Sequence, residues 1–288
     1  MAFDLKSFRK SLAYKGSFSA PQIQANLKQI AAQDKQAEKK RNIYVAIAII
    51  SGVLAFFSVI WVAESNGIAA IPIVLIAVAV VTGVLAGRWN RLDVPDLRYG
   101  LPPQLTEMLS RDMAKGSTFD TRIDFSKPTQ KSKQTSKGPW PRRSGWTQTF
   151  FEDPWLWLSG KFLDSTRFTL TLTEITVVRS GYKRSRSGKR KHKTKTKPKG
   201  MIAELHLVFP RKRYGAVKML SSELRGAINL PQDAALKRIK VDDRHLLLRV
   251  KVGPNRQDVG EFYQLITQMM LSAYQILNLS KELSKSST

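Results

Sequence analysis

The 288-residue chain has no cysteine and only three histidines. The first absence excludes a disulfide framework, a thiolate zinc site, an iron–sulfur cluster and a cysteine nucleophile. The second leaves His192, His206 and His245, too few and too scattered for a histidine-rich metal site. Acidic residues are scarce as well. Against 48 Lys and Arg stand 22 Asp and Glu, a formal charge of +26. Hydrophobic residues still make up 42%, so the chain is not a disordered polyelectrolyte. Common catalytic signatures are missing too: there is no Walker A sequence, no G-x-G-x-x-G, no H-E-x-x-H and no G-x-S-x-G.

Charge is absent from two long stretches. Residues 43–63 are 21 residues without a charge, and residues 68–87 are 20. At 1.5 Å per residue, each is long enough for the ~30 Å hydrocarbon core of a bilayer. Core helices of soluble proteins rarely lack a polar face over such a length. The four residues between the runs, Glu64 to Gly67, suffice only for a tight hairpin. Lys39, Lys40 and Arg41 precede the first run, Arg88 and Arg91 follow the second, and the connection carries only an acid. The positive-inside rule then predicts cytoplasmic termini, as in a multi-pass protein of a bacterial-type inner (plasma) membrane. Tyr44, Trp61 and Trp89 fall at span ends, where amphipathic rings favour the interface. Ala48 and Gly52, with Ala79, Gly83 and Gly87, form small-residue stripes expected to pack helix on helix, within the hairpin or between copies. With no ionisable side chain inside either span, the hairpin reads as an anchor rather than an ion path. The first run lies behind a long polar stretch, so the expectation is an insertion signal and not a cleavable leader.

Residues 1–42 read as a basic cytosolic segment, helical from Pro21 onward, with Ile23, Leu27, Ile30 and Ala31 at helical spacing. Residues 92–288 carry 37 basic and 18 acidic side chains, a surplus of 19 positive charges, and are long enough for one sizeable core. A helix is predicted after Pro102–Pro103, ending near Gly116, then a strand over 119–125 and an exposed loop over 126–148. Strands are predicted over 155–162, which is apolar and aromatic, over 166–178, where Phe168, Leu170 and Leu172 alternate with Thr, and over 201–209, and a hairpin turns at Asp242–Asp243. A short helix over 216–228 and a long one over 258–283, with Phe262, Ile266, Met269, Ala273 and Ile276 on one stripe, complete the pattern. The fold class is thus a two-span membrane α-helical hairpin (43–87) plus a cytosolic α+β domain (92–288) with an antiparallel sheet.

The sharpest local feature is residues 182–199, YKRSRSGKRKHKTKTKPK, in which ten of eighteen residues are basic and none is acidic. The cations are Lys183, Arg184, Arg186, Lys189, Arg190, Lys191, Lys193, Lys195, Lys197 and Lys199. If this segment is a strand, the six odd-numbered lysines from 189 to 199 share one face. Their mutual repulsion predicts a floppy arm in the absence of an anionic partner. Three readings follow: a solvated loop, an anionic membrane surface, or nucleic acid. Nucleic acid is the alternative because the segment has one Tyr and no interleaved aromatics for stacking bases. Trp140 and Trp146, in a polar stretch with Arg142 and Arg143, are candidates for a lipid interface, whereas Trp155 and Trp157 read as core.

Catalytic candidates are sparse. His206 falls on a strand. His245 follows Asp242, Asp243 and Arg244, a set that can hold a metal or move protons but is more often a solvated turn. Glu152–Asp153 before Pro154 reads as a turn. The sequence therefore predicts a non-enzymatic membrane protein without metal or cofactor. Its basic domain engages anionic lipid or a protein partner, including a second copy, with a membrane-tethered nucleic-acid binder as the alternative.

Overall fold

The structure, a computed structural model, describes residues 3–65, 70–90, 92, 94–185, 187–215, 217–220, 228–254 and 258–286. Two compact units divide the chain. One comprises residues 3–10 and 25–96, the other 11–24 and 97–288.

The first unit is helical. α1 (Leu5–Ser11) precedes α2 (Ala20–Ser65), and α3 (Ala70–Trp89) returns antiparallel to it. α2 and α3 are both long and apolar enough to cross a membrane by length and composition. The basic flanks of the two apolar stretches meet. Lys40 Nζ lies 4.5 Å from the Trp89 ring centre, Arg41 Nη1 is 3.5 Å from Asn90 Oδ1, and Asp34 Oδ1 accepts from Val94 N at 2.9 Å.

The less exposed positions of the hairpin are Tyr44, Ala48, Ser51, Ala55, Ser58 and Val62 on α2, and Pro72, Leu75, Ala79, Thr82, Leu85, Ala86 and Trp89 on α3. Their spacing of three and four residues is that of a knobs-into-holes seam. Ala48 and Ala79 are therefore on the packed stripe. Gly52, Gly83 and Gly87 are not, since a Cβ on any of them would meet nothing within 4 Å. A spacing of four drifts off a seam whose repeat is 3.5, so within the chain the glycines lie one position outside the seam; packing between copies is a separate expectation. The hydroxyls on the seam bond back to their own helix, Ser58 Oγ to Ala55 O at 2.8 Å and Thr82 Oγ1 to Val78 O at 2.7 Å.

The second unit is an eight-stranded antiparallel sheet with helices on one face. Its strands are β1 (Ala13–Phe18), β2 (Phe119–Asp124), β3 (Gln134–Pro139), β4 (Trp146–Lys161), β5 (Arg167–Arg184), β6 (Arg190–Val208), β7 (Ala234–Val241) and β8 (His245–Val252). The order is β1-β2-β4-β5-β6-β8-β7, with β3 paired to β4 off this path. α4 (Asp96–Ser110), the short α5 (Arg211–Tyr214) and α6 (Val259–Ser286) complete the unit. The core lies between the sheet and α4 and α6. Phe168, Leu170 and Leu172 of β5, Ala203, Leu205 and Leu207 of β6, and Leu246, Leu248 and Val250 of β8 are buried there with Phe262, Ile266, Met269, Ala273 and Ile276 of α6. The stripe predicted for α6 is thus the packed one. Intervening residues such as Thr169, Thr171, His206 and Leu247 lie on the helix-free face, as alternation in a half-covered antiparallel sheet requires.

Several elements depart from the sequence reading. The N-terminal segment is not helical throughout: β1 pairs along its whole length with β2, from Ala13↔Asp124 to Phe18↔Phe119. Gly16 leaves room for the Phe18 ring, which stacks on Tyr14 at 4.9 Å, so rings cover the glycine on this edge strand. The expected loop at 126–148 contains β3, and β4 starts at Trp146, nine residues before the predicted strand. α4 begins at Asp96 and carries Pro102 and Pro103 inside it, where Thr106 Oγ1 donates to Pro102 O at 2.9 Å. The helix expected over 216–228 appears as a 3-10 turn at Val217–Leu220; residues 216 and 221–227 lie outside the described residues.

α4 is locked to the sheet by ions. Arg98, 1% exposed, donates through Nη1 to Asp124 O (2.6 Å) and Ser126 O (3.0 Å). Its Nη2 reaches Asp153 Oδ2 at 2.7 Å and Glu174 Oε2 at 3.0 Å. Lys133 Nζ bridges Asp124 (2.9 Å) and the other oxygen of Asp153 (2.8 Å). Asp153, read from sequence as a turn residue, is instead a fully buried strand residue holding two cations.

Candidate anionic-surface interface

The basic segment is an ordered β-ribbon. β5 and β6 pair from Arg167↔Val208 out to Arg184↔Arg190. The end is closed by Ser185 and Lys189, with Ser185 N donating to Lys189 O at 2.9 Å and Gly188 at φ +76°, where a side chain would be strained. Arg186 lies outside the described residues. The repulsion expected to loosen the arm is small. Alternate residues on a strand are about 6.7 Å apart, which in water costs about 0.6 kcal/mol per neighbouring ammonium pair. The directly opposed pairs Lys183–Lys191, Arg184–Arg190 and Arg179–Lys195 add to this, and the ribbon is nonetheless paired along its length.

A β-bulge decides which way the lysines face. The buried residues of β6, Met201, Ala203, Leu205 and Leu207, are odd-numbered, and so are the lysines from 189 to 199. Strict alternation would put both sets on the helix-covered face. The register shifts between Glu174↔Met201 and Thr176↔Pro198, so Lys199 and Gly200 together oppose Ile175. Gly200 is at φ +99°, and a Cβ there would run into Val252 O. The extra residue rotates the outer half of β6 by one position. Lys191, Lys193, Lys195 and Lys197 then share the face of Lys183, Gly181, Arg179 and Val177, their direct partners, which continues the helix-free side of the sheet. Four of the six lysines therefore form the ladder, while Lys189 sits in the turn and Lys199 in the bulge. β6 has no second neighbour beyond Met201, since β8 ends opposite it at Val252. Residues 190–199 are all exposed, and among the described residues none of these cations forms an ion pair.

Aromatic rings extend the ladder across β4. Trp146, Gly181 and Lys193 are neighbours in register, as are Gln148, Arg179 and Lys195. A Cβ on Gly181 would meet the Trp146 ring at 2.5 Å, so only glycine admits that ring. Arg143 lies over Trp146 (4.4 Å) and Arg179 over Trp140 (4.5 Å), with the two indoles 5.8 Å apart. Both contacts are in the range of cation–π attraction. Trp146 itself is only 3% exposed and donates its Nε1–H to Tyr182 O at 3.2 Å. It thus supports the surface rather than presenting a free ring, and Trp140 is the partly exposed member. Of the residues expected at a membrane interface on the helices, Trp61 is 53% exposed, whereas Tyr44 and Trp89 are partly covered.

The remaining titratable candidates sit elsewhere on the open face. His206 Nε2 and His245 Nδ1 are 3.2 Å apart with their rings stacked, in a groove that also includes Trp157, Glu204 and Asp242. Burial, then the neighbouring His245, lowers the pKa of His206 despite the opposing pull of Glu204. Glu204 is engaged by Arg249, whose Nε is 2.6 Å away, and Asp243 by Arg211 at 3.6 Å. Among the described residues no group of three or more histidines and carboxylates is placed to hold a metal ion. Comparison with known protein families, curated proteins and solved structures gives no match.

Proposed function

We propose that this chain is a non-enzymatic, multi-pass membrane protein whose hairpin crosses a bacterial-type inner membrane and whose ribbon docks on anionic phospholipid headgroups. Both termini and the sheet domain lie on the cytoplasmic side in this reading. The observation that carries it is the ladder of Lys191, Lys193, Lys195 and Lys197, flanked by Lys183 and Arg179 on one open face with no carboxylate paired to it among the described residues. Charge on an edge strand, lysine above all, also deters strand pairing between molecules, a role the ladder can fill at the same time. An all-cationic face is the choice that favours an anionic partner, and each such residue near an anionic leaflet is worth about 1 kcal/mol.

The sheet supports the hairpin topology independently. β1 precedes the first apolar helix and β2 follows the second, yet they pair directly. A sheet cannot be completed across a bilayer, so both strands lie on one side, and either both apolar helices cross or neither does. The basic residues at the paired ends of the helices favour the cytoplasmic side.

Flotation of the full chain in zwitterionic nanodiscs tests the lipid reading. Binding is measured to neutral and to phosphatidylglycerol-containing vesicles across a salt series, beside a variant with the four ladder lysines changed to Gln. The expected result is binding to anionic vesicles only, weakened by salt and lost in the variant. Equal binding by both proteins refutes the reading, and displacement of the vesicles by RNA transfers the ladder to nucleic acid.

A further inference from the structure

A second feature lies on the other side of the sheet, at the end away from the ribbon tip. The β4–β5 connection, with α4, α5 and α6, lines a half-open cavity of about 530 Å³. That is within the range of small-molecule sites. Met108, Leu109, Phe162, Leu163, Met270 and Leu271 form its apolar wall. Leu163 and Leu271 are 69% and 59% exposed, so the wall reaches the surface uncovered.

The polar end of the cavity is one carboxylate, Asp164. Thr166 donates its backbone N–H to Oδ1 at 2.8 Å and its hydroxyl to Oδ2 at 2.9 Å. Tyr274 OH donates to Oδ2 at 3.1 Å, and Tyr214 OH makes a short hydrogen bond to the same oxygen. Burial pushes the Asp164 carboxyl up, but the donors from Tyr214, Thr166 and Tyr274 outweigh it and leave the group below its ordinary value. It is therefore ionised at neutral pH. Burial and the bond to Asp164 push Tyr214 up to about 12; burial, and the charge of Asp164, raise Tyr274 as well.

Two consequences follow for anything entering the cavity. Both phenol protons are committed to Asp164, so the phenol oxygens offer lone pairs and no donor. The carboxylate has four donors but, among the described residues, no cation within 4 Å. Arg213 and Asp112 also line the space, so its three charged side chains sum to one negative charge. A half-buried carboxylate among apolar side chains gains most from a cation that brings its own apolar body.

We propose that this cavity is a binding site for an amphipathic amine, with the ammonium on Asp164 between Tyr214 and Tyr274 and the apolar body along Met108, Leu109, Phe162, Met270 and Leu271. The tyrosine rings add cation–π attraction to the ion pair. A carboxylate of the same shape is repelled by Asp164, and an alcohol lacks the charge that the site leaves unmatched. The site is independent of the ribbon.

Calorimetric titration of the full chain in zwitterionic nanodiscs tests this with three isosteric probes: 3-phenylpropylamine, 3-phenylpropanol and 3-phenylpropionate. Empty nanodiscs provide the partition baseline. The amine binds saturably and at least tenfold more tightly than the other two. Asp164→Asn brings its affinity down to that of the alcohol. Met270→Trp fills the cavity without touching the carboxylate and removes binding, which keeps the test open if the Asn variant fails to fold. Equal affinities for the three probes, preference for the carboxylate, absence of amine binding, or amine binding that survives Met270→Trp would each overturn the proposal. The ladder-Gln protein binds the amine like the unaltered chain, so failure of this site and failure of the lipid reading are distinguishable.

Discussion

If the ribbon works as an ordered face rather than as loose charge, rearranging its charges without removing any must weaken docking. The pairs Lys193–Thr194 and Lys195–Thr196 allow this change. Exchanging the residues within each pair keeps composition, net charge and the five-residue stretch 193–197 of exposed strand. Lys193 and Lys195 face with Gly181 and Arg179, whereas Thr194 and Thr196 face with Ser180 and Val178 on the opposite side. The exchange therefore moves two of the four ladder lysines to the wrong face. At about 1 kcal/mol per basic residue near an anionic surface, docking loses up to about 2 kcal/mol. That corresponds to about thirtyfold in the vesicle partition coefficient, since each 1.4 kcal/mol is tenfold. The assay is flotation with phosphatidylglycerol-containing vesicles at fixed ionic strength, with the four-Gln variant as the lower limit. A partition coefficient within twofold of the unaltered chain refutes the ordered ladder and leaves only a diffuse attraction to net charge. The bulge at Lys199–Gly200 makes the same point from another direction, because it sets which face the lysines occupy.

Four further outcomes follow from other parts of the molecule. The absence of cysteine makes single-cysteine labelling clean: Asn66→Cys reacts with an impermeant maleimide from outside intact cells and Lys189→Cys only after permeabilisation, and identical accessibility of the two refutes the hairpin topology. Arg98→Met leaves Glu174 without its cation and Asp153 with Lys133 alone, so the sheet unit loses about 3–5 kcal/mol, read as a lowered denaturation midpoint; an unchanged midpoint means the ion network is not what holds α4. Burial raises the Asp124 carboxyl, but hydrogen bonds from Ser126 and Lys133 bring it below its ordinary value, so its stabilising effect is full above about pH 4, the unfolded value, and fades as pH falls through the folded one; the stability gap between the unaltered chain and Asp124→Asn must shrink below pH 4 in acid melts and stay flat above pH 5. Gly181→Ala forces a Cβ into the Trp146 ring and costs about 1–3 kcal/mol by overpacking, with a change in tryptophan emission as Trp146 leaves its seat.

What could be read in advance was whatever a local period writes. Uninterrupted apolar runs marked α2 and α3, and a spacing of three and four residues marked α6. Alternation marked β5, where Phe168, Leu170 and Leu172 are buried as expected of a half-buried strand, and strand-like runs marked β6 and β8. What stayed hidden depends on distant partners. AYKGSF at 13–18 has a glycine in its middle and no apolar run, and it becomes β1 only because β2 offers it an edge. The bulge on β6 is invisible in the alternation itself, because lysines and buried residues share one parity; Gly200 at the junction was the available signal. Arg98 was masked by the prolines that follow it, which suggested a helix starting later. The cavity draws its polar end from 164, 214 and 274, three segments with no common motif.

The position of β1 also constrains how the molecule can be assembled. It is made before either apolar helix, and its partner β2 is made after both. The strand is at the edge of the sheet, so β2-β4-β5-β6-β8-β7 can form around α4 and α6 without it. Until β1 arrives, β2 presents an unpaired edge, the kind of surface that recruits strands from other molecules. In the proposed topology the hairpin brings β1 back to the side where β2 folds, raising its effective concentration over any intermolecular strand. The two apolar helices would then do more than anchor the sheet, because the closing strand and its partner stay on one side of the membrane when both helices cross and are parted when only one does. A chain with one failed span would strand β1 from β2, so in the proposed topology the completed sheet excludes the one-span arrangement.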